Sequence, residues 1–260
     1  MIEGLDKPIP QSSFDATPAV MRRLLDESSL GTVEIPRPPL AALPYGAFIT
    51  ALLGCRGFRL DFNRLAPHEA LTLVSDKLLG PGAFAAERTA LAGDIAALAV
   101  FAGELAGGRP AIAIRTYFAP GDLVWHVDRV NERTAFRLLW PIGRPAGMCV
   151  TPTANVDLPL HRAYMRREHP LLCRLDTRVM RSGAAVETLW AHRPAQLAAM
   201  MSGAFPFIRD PARIRQVTPG AASIHRVATP QQPGTYHCSS WRNRRSPGLQ
   251  IVITAASDQP

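Results

Sequence analysis

The stretch Ala111-Ile112-Ala113-Ile114-Arg115-Thr116-Tyr117-Phe118-Ala119-Pro120-Gly121-Asp122, followed at once by Trp125-His126-Val127-Asp128-Arg129, decides how this chain reads. Residues 111–118, with their isoleucines and aromatics, have the composition of a strand. Residues 119–122 carry the Pro-Gly-Asp chemistry of a turn. Further strands are expected over 123–130 and 134–140. Successive side chains of a strand point to opposite faces, so His126 and Asp128 project together while Val127 turns away. An imidazole and a carboxylate side by side are two parts of the two-His, one-carboxylate face that Fe(II) accepts while keeping positions open for other ligands. The third part must come from elsewhere in the chain.

Upstream, the sequence reads as helices and loops. A short helix is expected over 17–27. Pro36, Pro38, Pro39 and Pro44 break any regular element there. Pro67 suits a first helical turn and Gly80 an end, with Leu71, Val74 and Leu78 at helical spacing between them. A longer helix is expected from about 83 to 106, with Leu91, Ile95, Leu98 and Leu105 as its buried stripe and Gly107-Gly108 as its stop. Downstream, 145–159 reads as loop, 160–167 as weakly patterned helix, 186–190 as strand and 196–201 as a helical turn. Strands are expected over 223–228, 234–239 and 249–254. Helices first and strands after argue an α+β fold, with the helices packed outside one sheet system. A single domain over 1–260 is expected. Residues 1–108 form its mostly helical part and 109–260 its strand core.

The segment from Arg115 through Pro120-Gly121 into His126-Val127-Asp128 resembles the approach to the metal in the Fe(II)/2-oxoglutarate-dependent oxygenase superfamily. The resemblance covers roughly residues 111–254. It implies a double-stranded β-helix, or jelly roll, preceded by a helical layer. It also implies Fe(II) and the cosubstrate 2-oxoglutarate as partners, with O2 and a small-molecule substrate. In that family a distal His follows well downstream, and a basic residue after it binds the far carboxylate of 2-oxoglutarate. Tyr236-His237-Cys238 supplies the distal His, roughly 110 residues after Asp128. His225, in Ser223-Ile224-His225-Arg226, is the rival. Arg244 and Arg245 are both placed for the cosubstrate carboxylate, and Arg244 with Ser246 matches an Arg-x-Ser arrangement. Tyr117 is a candidate for the cosubstrate pocket. Arg115, Arg129 and Arg133 are candidates for holding an anionic group of the substrate. Asp128 keeps the carboxylate that halogenating relatives replace, which disfavours halogenation.

Composition bounds the alternatives. The 260 residues are 47% hydrophobic and 19% charged, an ordinary globular balance. The net charge is +8, carried almost wholly by Arg, and a guanidinium fork suits carboxylate or phosphate. A nucleic-acid or anion-binding module would use that charge. However, aromatics are only 7% and do not interleave with the basic runs, so nucleic acid is disfavoured. A jelly-roll protein that binds metal without oxidative turnover is the other alternative. The four cysteines form no Cys-x-x-Cys pair and read as reduced thiols of a cytoplasmic protein. Residues 1–12 lack the basic start and apolar run of a signal peptide. No stretch reads as a membrane span, because Glu87, Arg88, Asp94 and Glu104 interrupt the most apolar region. His161, His169 and His192 read as loop or surface residues.

Overall fold

Between Ala135 and Ile142 the chain alternates two kinds of side chain, and each kind finds its own layer. Phe136, Leu138, Trp140 and Ile142 are buried in the main apolar core, while Leu139 belongs to a different apolar cluster on the other side. By the same alternation Arg137 shares the face of Leu139. The computed structural model describes residues 9–13, 15–55, 66–117, 125–168, 204–239 and 248–257, with 115–117 and 168 by backbone alone. The segments expected over 186–190 and 196–201 lie outside the described residues, as does the turn expected at 119–122.

The protein is a mixed helical and antiparallel-sheet structure. β3 (Ala135–Ile142) is the middle strand of a five-stranded sheet. Its companions are β1 (Thr32–Ile35), β2 (Pro110–Tyr117), β6 (Ala222–Arg226) and β8 (Gly248–Ala256), in the order β1-β6-β3-β8-β2. One face is apolar throughout, with Ile114, Ile224, Ile251 and Ile253 joining the β3 residues. Each such side chain contributes roughly 1.5–3 kcal/mol when fully buried. The helices α1 (Pro18–Glu27), α2 (Gly46–Gly54), α3 (Pro67–Leu79) and α4 (Ala85–Ala106) cover that face. α1 starts where Thr17 caps the amide of Val20. α4 buries Leu91, Ile95, Leu98 and Leu105 and stops at Gly107, whose φ of 71° favours glycine.

α4 corrects one expectation. By length and composition it is apolar enough to cross a membrane, its charged residues notwithstanding. Here it serves as the core helix, packed on α3, α1 and strands β8, β2 and β3.

A second sheet faces the first. It holds β4 (Cys149–Thr151), β5 (Arg215–Gln216) and β7 (Tyr236–Cys238) in the order β5-β4-β7. Val150, Met148 and Val217 from this side meet Leu139, Val252 and Ala113 from the large sheet. β4 and the 3-10 turn Thr153–Asn155 replace the loop expected over 145–159. The strand expected over 123–130 is reduced, among its described residues, to two bridges: His126 with His237, and Arg129 with Ala228. The N-terminal part is less purely helical than expected. β1 pairs along β6, and α2 follows the proline-rich stretch. Helix α5 (Leu158–Glu168) lies behind the second sheet, where Tyr164 joins Trp125, Tyr236, Phe205 and Phe207.

One polar network ties the helices to the large sheet. Asp94 Oδ2 on α4 accepts from Tyr45 Oη and Arg37 Nη2, both at 2.6 Å. The Arg37 guanidinium lies 4.4 Å from the Trp140 ring, and Tyr45 meets that ring edge-on. Burial, reinforced by Asp94, pushes the Tyr45 phenol well above its usual range, so it remains a neutral donor. Asp94→Ala leaves the buried phenol without its acceptor. The expected loss is about 1–2 kcal/mol of unfolding free energy, discounted because Asp94 is partly exposed. Urea titration checks this, and an unchanged midpoint would contradict the network's role.

Candidate metal centre

Two histidines distant in the chain are joined through their backbones. His126 N donates to His237 O and His237 N donates to His126 O, each at 3.0 Å. Such a directly opposed antiparallel pair places both side chains on one face. The two rings accordingly lie against each other, with centroids 4.3 Å apart and planes tilted by 54°. The residues on either side point the opposite way and are anchored there. Trp125, Tyr236 and Cys238 are buried in the cluster covered by α5, and Val127 packs against it. His161 on α5 is not the surface residue expected. It is partly buried and its Nε2 donates to the carbonyl of Trp125 at 2.9 Å.

Asp128 completes the group one pleat further on. Its carbonyl accepts from Ala228 N at 2.7 Å, and the Val130 amide returns to Ala228 O at 3.0 Å. Gly234 allows this close approach. A Cβ there would lie 2.4 Å from Val127 Cγ1 and 2.6 Å from the Ala228 nitrogen. The donor atoms of His126, Asp128 and His237 all lie within 4.8 Å of one another. Two imidazoles and one carboxylate at that spacing can share one divalent cation.

Protonation suits the task. Burial alone would raise the Asp128 carboxyl. The hydrogen bond from His225 and the adjacent Arg137 guanidinium outweigh burial and hold the carboxyl far below the usual range. Burial also pushes His237 well below the ordinary histidine value, helped by His126 and His225. A neutral imidazole and an ionised carboxylate are the forms that bind metal. His237 Nδ1 lies 3.0 Å from the carbonyl of Thr235. That contact assigns the proton to Nδ1 and leaves the Nε2 lone pair toward Asp128, 3.5 Å away. The His126 side chain is 31% exposed and that of Asp128 only 13%, so the group opens on the His126 side.

His225, the rival ligand, stands outside the mutually close donor set, yet its fully buried ring touches the site through Asp128. Arg129 and Arg133 are exposed and do not belong to the set. Arg115 and Tyr117 are placed by backbone only, opposite Gln250 and Gly248. Arg244 and Arg245 lie outside the described residues. Arg137 was missed by sequence reasoning. Its signal was a lone Arg at an inward position of the apolar run Ala-Phe-Arg-Leu-Leu-Trp.

Both buried imidazoles, His225 and His237, stay neutral in the fold at pH values where the unfolded chain takes up protons. Their contribution is complete above the ordinary histidine range and is lost as pH falls. Asp128 acts with the same sign at lower pH. Metal-free protein should therefore melt progressively lower on going from roughly pH 7.5 to 5. A melting temperature that holds or rises over that interval contradicts the assignment. Gly234→Ala, which drives a methyl against Val127, should weaken divalent-metal binding in a folded protein, read by titration with Co(II).

No family model and no curated protein matches the chain. Several solved structures resemble it, three of them as follows. One is the Arabidopsis thaliana dioxygenase for auxin oxidation 1 in a binary complex with 2-oxoglutarate. Identity is 10%, the coverage is 94% of this chain and 91% of that one, and the TM-score is 0.48. Another is the rice dioxygenase for auxin oxidation, at 12% identity, 94% and 82% coverage, and a TM-score of 0.44. A third is AviO1 from Streptomyces viridochromogenes Tue57, at 19% identity, 68% and 63% coverage, and a TM-score of 0.32. None of these reaches a TM-score of 0.5, and the site is read from its own residues.

Proposed function

We propose that this chain is a non-haem Fe(II)- and 2-oxoglutarate-dependent oxygenase acting on a small molecule, built on a double-stranded β-helix. The observation that carries the reading is the convergence of His126, Asp128 and His237, with all donor atoms within 4.8 Å. The strand order supports the fold. The last four strands, β5 to β8, alternate between two facing antiparallel sheets, as strands of a jelly roll do, while β2 and β3 share the larger sheet and β4 and β5 the smaller.

The residues present fit the metal. Two imidazoles and one carboxylate suit Fe(II), and a group opening on one side leaves room for a chelating cosubstrate. When bound, the metal and 2-oxoglutarate supply O2 activation with release of succinate and CO2. The chain's part is to hold the ligands and exclude water. His237 presents Nε2 from a buried position, and Trp125 and Tyr236 seal the sheet behind it. Arg244 or Arg245 is assigned to the far carboxylate of 2-oxoglutarate, where a bidentate pair is strong. Arg115, Arg129 and Arg133 are assigned to an anionic part of the substrate, with Tyr117 at the cosubstrate pocket.

Anaerobic titration with Fe(II) and 2-oxoglutarate tests the proposal. Wild-type protein should bind one equivalent of metal and develop a weak visible charge-transfer band. His126→Ala, Asp128→Ala and His237→Ala should each abolish the band and weaken metal binding by roughly 100-fold or more, since each removes a direct ligand and outer-sphere losses alone reach that figure. A normal band in any two of the three ends the assignment. Metal binding without 2-oxoglutarate-dependent succinate release favours a non-oxidative metal protein instead.

A further inference from the structure

Across the inner face of the large sheet runs one row of residues in register: Thr32, His225, Arg137 and Thr254. Its two central members both reach Asp128, and both reach the same oxygen. Arg137 Nη1 lies 2.5 Å from Oδ2 and His225 Nε2 lies 3.4 Å from it. His237 Nε2 also lies beside Oδ2, at 3.5 Å, so Oδ1, which faces the more exposed His126 Nε2 at 3.9 Å, is the oxygen that neither Arg137 nor His225 holds.

Each of the two residues is itself held. Arg137 Nε donates to Thr254 Oγ1 at 3.0 Å, on the neighbouring strand. His225 is fully buried, and its Nδ1 has no hydrogen-bond partner. A ring with no acceptor at Nδ1 carries its single proton on Nε2, where Asp128 accepts it. The pair therefore grips one carboxylate oxygen with two donors on two adjacent strands.

We infer that Arg137 and His225 are positioning residues for the metal centre: they fix the rotation of the Asp128 carboxylate and commit it to binding a divalent cation through one oxygen. This rests on the metal reading above. A carboxylate gripped in this way cannot swing both oxygens onto the ion, so coordination positions stay open for a chelating cosubstrate. Arg137 acts through Asp128 and is thereby distinct from Arg244 and Arg245, which are assigned to cosubstrate.

Co(II) serves as the probe, because its visible d–d spectrum reports coordination number and needs no turnover. Wild type should bind one Co(II), and Asp128→Ala should lose that binding. Arg137→Met and His225→Leu should bind Co(II) about tenfold or more weakly, with a d–d spectrum altered at saturation. Arg137→Lys and His225→Gln, which restore a donor, should recover most of the affinity. A merely structural role would move the melting temperature and leave the saturated spectrum unchanged. Wild-type affinity and spectrum in both Arg137→Met and His225→Leu overturn the inference while leaving the metal reading intact. Failure of the wild type itself to bind Co(II) overturns both. Should those two variants not fold, Thr254→Val takes their place. It frees Arg137 without touching Asp128 and should weaken Co(II) binding about threefold; wild-type affinity there overturns the inference.

Discussion

The reciprocal backbone pairing of His126 with His237 is the constraint on which the site depends. Two amide-to-carbonyl bonds of 3.0 Å bring together residues roughly 110 positions apart and set both rings on one face. Everything else around the site stabilises that pairing or follows from it. Trp125, Tyr236 and Cys238 bury themselves on the reverse face, so neither strand can slip by one residue without expelling an aromatic side chain into water. His161 ties down the carbonyl just before His126.

The large sheet shows the same economy of pattern. Its strands present Ile, Leu, Phe and Trp to the helices and a sparse polar row to the interior. The polar row would be a cost if left unmatched in so dry a place. Asp128 and Arg137 neutralise each other, and His225 spends its proton on the same carboxylate. Loss of any member of such a group leaves an unpaired buried partner, which is why the cluster is expected to respond as a unit.

Much of this was legible before coordinates. Helices α1, α3 and α4 announced themselves by Thr17, Pro67, Gly80 and Gly107, all acting through local backbone chemistry. His126 and Asp128 were found because strand alternation is also local. What escaped was set by tertiary pairing. β4 is a three-residue strand, too short to show a period, and exists because β5 and β7 flank it. β1 is a four-residue run, Thr-Val-Glu-Ile, buried at every position, so it offers no alternation to read. Residues 123–130 looked like a full strand, yet the described part keeps only two bridges and relies on Ala228 and His237 for partners. Arg137 escaped because its neighbours in the chain are apolar, and its partner Asp128 is fixed by the fold alone. Arg244 and Arg245 lie outside the described residues, so their expectation carries forward as part of the proposal.

The strand at the margin of the large sheet has a consequence for how copies of the protein meet. β1 would leave an open row of amides and carbonyls beside β6 and its buried histidine. Residues 10–12 close that row: Glu34 N donates to Pro10 O, and Ser12 N donates to Glu34 O. Pro10 has no amide hydrogen of its own to offer outward. A stray strand from another molecule therefore meets a short, proline-interrupted segment in place of β1, which disfavours edge-to-edge pairing there.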